Sequence, residues 1–195
     1  MRKRLIYFHG FASSAATGTV ATLCGLLPEV DVTAPDIPVD PAEALPFLKE
    51  LCRSERPDIV VGTSMGAMYA QQMRGFKRIC VNPAFEMSKT SEVLKVGVLD
   101  FHYPRMDGQT RFTITEEVIR HFAEMEERQF DGITGEEREL VWGMFGDADT
   151  VVNCKGLFMR HYHHVVDFAG EHRLNEAVVR DVLAPLIRRM LAMKI

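Results

Sequence analysis

Residues 58–70 read DIVVGTSMGAMYA, and this stretch changes character at its middle. The apolar, β-branched residues at its start are typical of a buried strand, whereas the residues at its end favour a helix. Between the two parts, Ser64 lies in the pattern G-x-S-x-G, with Gly62 and Gly66 two residues away on either side. We therefore predict a sharp strand-to-helix turn that leaves the Ser64 hydroxyl at the corner.

Other short apolar runs share the features of the strand that begins this stretch, being rich in β-branched or aromatic residues and ending in residues that favour turns. We predict strands at 4–10, 58–64, 78–84, 140–147 and 163–170, with a weaker one at 31–38. Helical patterns fall between them, at 17–27, 41–53, 65–74, about 153–161 and 174–193, the last with a kink or break at Pro185. This alternation predicts an α/β fold in which about six mostly parallel strands are flanked by helices.

Length and composition limit the class of protein. The 195 residues are 47% hydrophobic and 26% charged, which is ordinary for one globular domain covering 1–195 and excludes a disordered chain. The net charge of −4 argues against nucleic acid as a partner. No apolar run approaches the ~18 residues that a membrane helix needs, and the run after Arg4 is too short for a signal peptide. We therefore expect a soluble, cytoplasmic protein with no membrane partner.

Residues 85–139 depart from the alternating pattern. The segment is too long for a plain loop and has no convincing strand, so we predict a mostly helical cap inserted into the domain. Thr113 and Thr134 each precede a glutamate by three residues, which predicts two helix starts. An apolar stripe at helical spacing either lies over Ser64 as a lid that forms the substrate pocket or packs as ordinary core. The stripe consists of Val118, Ile119, Phe122 and Met125.

The corner at Ser64 matches a nucleophile elbow, in which small residues two positions away let the backbones on either side approach closely. A serine hydroxyl is a weak nucleophile, and it needs an imidazole to take its proton and an acid to orient that imidazole. The next amide, the N–H of Met65, lies at a helix N-terminus where an oxyanion can bind. The alternative role for Ser64 is a helix-capping serine.

The two partners of Ser64 are expected on loops that follow later strands. The predicted strand at 140–147 leads into the GDAD loop, which offers Asp147 and Asp149, and the last strand leads into GEH, which offers His172. The spacing G-x-x-D and the valines that follow favour Asp149 as the acid, with Asp147 as a turn residue and the reserve candidate. The alternative for His172 is an ordinary surface histidine.

A second oxyanion donor is expected in the loop after the first strand, where the sequence reads FHGFASS. We predict that the N–H of Phe11 is this donor, with Ala12 as the reserve. Gly10 permits the turn, and His9 is expected to form hydrogen bonds within the loop without transferring protons.

Neither a metal nor another cofactor is expected. The cluster His161, His163 and His164 could place at most two side chains on one face of a strand, so strand-edge or solvent-facing histidines are the better interpretation. The four cysteines form no CxxC pair and are expected to be buried free thiols.

Several of these motifs together resemble a known family. The motifs HGF, GTSMG, VNPA, FGDADTVV and GEHRLNE, spread over residues 8–173, look like those of the α/β-hydrolase superfamily, in particular the compact YqiA-like bacterial esterases. This resemblance implies a hydrolase of short acyl esters or thioesters, with a triad of Ser64, Asp149 and His172. It also implies a fold that lacks the first two strands of larger relatives.

The function that we expect is therefore a metal-independent serine hydrolase with a small-molecule acyl ester or thioester as its partner. Two other functions stay open at this point. One is a peptidase or lactonase, because the same triad serves those reactions. The other is a non-catalytic binding protein that keeps the fold, because a fold does not determine a function. The oligomeric state is not indicated by any feature of the sequence.

Overall fold

The computed structural model describes residues 2–89 and 94–193. In chain order its strands are β1 (Lys3–Phe8), β2 (Val30–Thr33), β3 (Ile59–Thr63), β4 (Lys77–Val81), β5 (Gly97–Asp100), β6 (Arg111–Ile114), β7 (Val141–Gly146) and β8 (His164–Phe168). Six of them form one sheet in the order β2-β1-β3-β4-β7-β8, and every neighbouring pair is parallel. The six predicted strands are confirmed, including the weak candidate that became β2.

Helices connect the parallel strands and cover both faces of the sheet. They are α1 (Gly18–Leu26), α2 (Pro41–Glu55), α3 (Met65–Ala70), α4 (Glu116–Arg128), α5 (Gly135–Glu139), α6 (Lys155–His161), α7 (Glu176–Val178) and α8 (Ala184–Ala192). A 3-10 turn lies at Met87–Lys89, and a π-helical segment lies at Val179–Leu183. The α/β architecture predicted from the alternating pattern is therefore present.

The apolar core lies on both faces of the sheet because the strands are buried on both sides. Along β3, the side chains of Ile59 and Val61 pack against α1 and the C-terminal helices, whereas Val60 packs on the opposite face. All three are fully buried. This two-sided burial explains why the strand appears as a continuous apolar run in the sequence.

The last helical region is interrupted where the proline predicted a kink or a break. The π-helical segment Val179–Leu183 leads directly into α8, which begins at Ala184 and has Pro185 in its first turn. Because proline has no backbone N–H and its ring collides with the preceding turn, a wider turn at this point relieves the clash.

The segment 85–139 contains two strands that were not predicted, so a description as mostly helical was wrong for part of it. β5 and β6 form an antiparallel hairpin in which Gly97 pairs with Ile114 and Asp100 pairs with Arg111. The hairpin has a long connection in place of a two-residue turn, so the usual hairpin signal is missing. Residues 90–93 of this segment lie outside the described residues.

The two predicted helix starts in this segment have different outcomes. Thr134 is the N-cap of α5, and its side chain accepts a hydrogen bond from Glu137 N. Thr113 lies in β6, and the N-cap of α4 is Thr115, which accepts from Val118 N. The prediction for Thr113 was therefore wrong by two residues, because the strand continues to Ile114.

Candidate active site

Ser64 stands at the sharp turn between β3 and α3. Its backbone has φ 54° and ψ −119°, a region that residues with a side chain rarely adopt. A methyl group on Gly62 would lie 2.2 Å from Gly66 O, and one on Gly66 would lie 2.1 Å from Phe8 O. Both glycines are thus required by backbone contacts, as the sequence predicted. The Ser64 side chain forms no capping hydrogen bond, which rules out the helix-capping role.

His172 connects the serine to an acid. His172 Nε2 lies 3.0 Å from Ser64 Oγ, and His172 Nδ1 lies 2.8 Å from Asp149 Oδ2. Because a carboxylate can only accept, Nδ1 carries the hydrogen and Nε2 is free to accept the serine hydroxyl hydrogen. The structure therefore brings all three predicted residues into one hydrogen-bonded chain.

The two acids of the GDAD loop have separate structural roles. Asp149 Oδ1 accepts from Val151 N at 2.8 Å and Val152 N at 3.0 Å, which leaves Oδ2 for His172. Asp147 Oδ1 accepts from Gly170 N at 3.0 Å and so joins this loop to the one that follows β8. The geometry favours Asp149 as the partner of the imidazole, because its side chain is held with one oxygen facing the ring.

Asn82 supports this arrangement, and the sequence reasoning did not assign it a role. It is buried directly after β4, with a left-handed φ of 43°. Its side chain donates to Glu171 O at 3.1 Å and to His172 O at 3.0 Å, and it accepts from Gly146 N at 2.9 Å. One amide thus joins β7 to the histidine loop. The sequence signal that could have indicated this role is an asparagine that directly follows a buried strand and precedes a proline.

The loop after β1 lies beside the serine, as the oxyanion prediction requires. A methyl group on Gly10 would lie 3.4 Å from Ser64 Cβ. Among the described residues, no acceptor is found for the N–H of Phe11 or of Met65. Ala12 has φ 55°, and its carbonyl accepts from His102 N at 2.7 Å. Two backbone donors near the serine are therefore free to bind an anionic oxygen.

His9 holds this loop in place, in line with its predicted structural role. The ring Nδ1 lies 2.8 Å from Gly10 O, and Ile37 N donates to Nε2 at 3.0 Å. Burial lowers the pKa of His9 to about 4, so the ring stays neutral near neutral pH. A neutral imidazole has one donor and one acceptor nitrogen, so Nδ1 can donate to Gly10 O while Nε2 accepts from Ile37 N.

A cavity of about 710 Å³ opens at Ser64 and His172. From the segment 85–139, the cavity is lined by Met87, Lys89, His102 and Tyr103, and also by Glu86. The predicted stripe of Val118, Ile119, Phe122 and Met125 does not line it and packs in the core instead. Of the two interpretations of this stripe, core packing is the one that the structure supports.

The other candidates from the sequence also have defined surroundings. His161 stacks on Phe130, and His164 stacks on Trp142 and lies 3.0 Å from Glu139 Oε2. Within the described part of the chain, no group of three or more His, Cys, Asp or Glu residues could hold a metal ion.

The four cysteines are free, but Cys24 is exposed and not buried as expected, because α1 lies at the surface. No helix in that part of the chain is long and apolar enough to cross a membrane.

A family model matches residues 4–186. The chain belongs to the uncharacterised protein family UPF0227. The match extends from β1 to α8 and includes every residue of the site described above. Comparison with curated proteins found no match.

Solved structures with the same fold are similar over almost the whole chain. Est1E from Butyrivibrio proteoclasticus has a TM-score of 0.68 at 16% identity, covering 98% of this chain and 89% of its own. The esterase domain of a Rhodothermus marinus protein has a TM-score of 0.69 at 18% identity, covering 97% and 88%. A thioesterase domain from the curacin biosynthetic pathway has a TM-score of 0.56 at 14% identity, covering 98% and 91%. These similarities establish the α/β-hydrolase fold for the UPF0227 chain.

Proposed function

We propose that this UPF0227 protein is a serine hydrolase that cleaves a carboxyl ester or a thioester through an acyl-enzyme intermediate at Ser64. The observation that carries the proposal is the chain of hydrogen bonds from Ser64 Oγ through His172 to Asp149, with distances of 3.0 and 2.8 Å. A serine at a strained turn, an imidazole and a carboxylate in this order are the parts that acyl transfer requires.

In the proposed reaction, Ser64 Oγ attacks the acyl carbonyl carbon while His172 Nε2 takes the hydroxyl proton. The N–H groups of Phe11 and Met65 stabilise the negative charge that develops on the carbonyl oxygen. His172 then donates the proton to the leaving alcohol or thiol, and the acyl group stays on Ser64. A water molecule, deprotonated by the same imidazole, releases the acid and restores the serine. Asp149 holds the imidazole in the required tautomer throughout.

Relatives by fold support an ester or thioester as the substrate. Est1E has been solved with bound ferulic acid, and two other relatives are an esterase domain and a thioesterase domain. We propose a small-molecule substrate for this chain, because the cavity of about 710 Å³ has the size of typical ligand pockets. Free thiols at Cys52, Cys80 and Cys154 favour a reducing compartment, and we propose the cytoplasm.

The proposal is tested by labelling with a fluorophosphonate probe, which reacts covalently with an activated serine. We expect the wild-type protein to be labelled and the Ser64→Ala variant to lose both labelling and hydrolysis, by a factor of about 10⁶ in kcat. Ser54→Ala, which removes an exposed hydroxyl from α2, is the matched control. Labelling of the Ser64→Ala protein at the wild-type rate would refute the assignment of the nucleophile, and a protein that hydrolyses no ester or thioester of graded length would refute the function.

A further inference from the structure

The lining of the active-site cavity is drawn from both faces of the sheet. Ala84, Met87 and Cys154 line it from the face that carries α2 and α4, where they belong to the larger apolar core. Tyr7 and Val179 line it from the face that carries α1 and the π-helical segment. Because Ser64 lies at the edge between these faces, a substrate bound at the serine can extend to two different walls.

The wall on the α1 side carries five side chains with hydroxyl groups. Thr63 follows Ile59 and Val61 on one face of β3 by the alternation of a strand, and its hydroxyl lies 2.9 Å from the hydroxyl of Tyr7. Thr17 and Thr19 line the same cavity as Tyr7, and Thr22 lies one turn further along α1. We call these five side chains the hydroxyl wall: Tyr7, Thr17, Thr19, Thr22 and Thr63.

The hydroxyl wall has more hydrogen-bonding capacity than its members use among themselves. Each hydroxyl can donate once and accept twice, so a cluster that is bonded internally retains free acceptors. Tyr7 is only 2% exposed and its hydroxyl is already paired with that of Thr63, so the free capacity of the wall lies with Thr19 and Thr22, which are partly exposed. Burial also raises the pKa of Tyr7, so its hydroxyl remains neutral and able to donate. The wall therefore suits a ligand that both donates and accepts hydrogen bonds.

The charges around the cavity indicate that such a ligand is neutral. The hydroxyl wall contains no acidic or basic side chain. The fully charged side chains that line the cavity are two acids, Glu86 and Glu176, and two bases, Lys89 and Arg173. Lys89 Nζ lies 2.6 Å from Glu86 Oε1, so this pair is already neutralised. The lining as a whole thus has no excess of either sign to select a phosphate, a carboxylate or an ammonium group.

We infer that the hydroxyl wall is a subsite for an uncharged, hydroxyl-bearing part of the substrate, such as a polyol or sugar moiety, and that the opposite wall binds an apolar part. This inference rests on the proposed function for its position relative to the reacting carbonyl. It identifies the substrate as an ester with a polar and an apolar side, and it distinguishes this site from one that is apolar on both sides.

The inference is tested with two esters that differ only in hydroxyl groups, 1-butyrylglycerol and propyl butyrate. We expect wild-type kcat/KM to be about tenfold higher for the glycerol ester, since each hydrogen bond contributes a factor of about 2 to 13. Thr19→Val and Thr22→Val, alone and together, should reduce this ratio toward one while the melting temperature confirms folding. Thr113→Val, an exposed threonine of β6 outside the cavity, is the matched control and should leave the ratio unchanged. Equal ratios in the wild type and in the folded double variant would overturn the inference.

A binding measurement separates this inference from the proposed function. Titration calorimetry with the Ser64→Ala protein compares the affinity of the same two esters in the absence of turnover. Tighter binding of the glycerol ester, weakened by Thr19→Val and Thr22→Val in that background, supports the subsite even if the wild-type protein hydrolyses neither ester. Hydrolysis of both esters without a preference, together with equal binding, supports the serine hydrolase and overturns the subsite.

Discussion

The ends of the parallel strands and the segment 85–139 contribute to the candidate active site in different ways. Ser64, Asp149 and His172 each follow a strand of the sheet, and backbone hydrogen bonds join the neighbouring loops, from Ala84 N to Ser64 O and from Ala148 N to Gly170 O. The segment 85–139 contributes none of these three residues. Its contacts with the site are made through backbone groups and lining side chains.

The segment 85–139 supports the loop after β1. His102 N donates to Ala12 O at 2.7 Å, and the ring of Phe112 meets that of Phe11 edge to face at 5.4 Å. Asp36 accepts from Ala15 N at 2.7 Å and from Met106 N at 2.6 Å, so it joins that loop to the hairpin connection. Strand ends thus carry the three residues of the proposed triad, whereas the inserted segment holds a loop and shapes the cavity.

The largest effect is expected at the strand ends. Asp149→Asn should lower kcat by about 10⁴, because the amide can donate to the imidazole and so favour the wrong tautomer. Asp147→Asn is the matched control, since its oxygen can still accept from Gly170 N and it does not contact His172. Steady-state kinetics of the two variants show which substitution lowers kcat more. If Asp147→Asn were the more damaging change, the acid would have to be reassigned.

A smaller effect is expected from the residue that joins these loops without reacting. Asn82→Ala should lower kcat by about 10²-fold with little change in KM, because it releases the backbone of His172. It also leaves buried polar groups unpaired, at about 1–3 kcal/mol each. Thr115→Ala is the control, because loss of this N-cap of α4 also lowers the stability of the protein but changes no residue of the site. Equal kcat values for the two variants at a temperature where both are folded would contradict this role for Asn82.

A still smaller effect is expected from the contact between the two regions. Asp36→Ala should lower kcat/KM by about three- to tenfold, less than the 10²–10³ that follows loss of an oxyanion donor, because the loop is loosened and not removed. Asp107→Ala is the control, since the Asp107 carboxylate accepts from Arg105 and Gln109, which both lie in the hairpin connection. Fluorophosphonate labelling rates and ester kinetics measure the difference. An effect of Asp107→Ala as large as that of Asp36→Ala would show that the contact to Ala15 is unimportant.

The smallest effect on catalysis is expected from the buried stripe of α4. Phe122→Ala should lower the free energy of unfolding by about 3–5 kcal/mol through loss of core packing. The ratio of activities on short- and long-chain esters should stay unchanged, because Phe122 does not line the cavity. Met87→Ala, which does line it, should change that ratio. A change in chain-length preference in a folded Phe122→Ala protein would restore the idea of α4 as a lid.

The sequence predicted the six strands of the parallel sheet and the three proposed catalytic residues because both depend on local patterns. A two-sided buried strand is a continuous apolar run, and the carboxyl ends of parallel strands meet at one edge, so Ser64, Asp149 and His172 could be brought together without coordinates. In the sequence, only the G-x-x-D spacing and the valines that follow separate Asp149 from Asp147, because both acids lie on one loop. The structure separates them geometrically by the backbone groups that each one accepts.

The hairpin of β5 and β6, the role of Asn82 and the hydroxyl wall were decided by tertiary structure. The hairpin strands pair across a long connection, and the partners of Asn82 lie 64 to 90 positions away in the chain. Thr19 and Thr63 are ordinary residues in their own segments. The pairing of β3 with β1 brings Thr63 to Tyr7, and the packing of α1 against the sheet places Thr19 in the lining of the same cavity. The sequence by itself determined the sheet, the strained serine turn and the order of the loops, because periodicity and steric limits act over a few residues. Hydrogen bonds between distant segments depend on how those segments pack, so they emerged only in the folded chain.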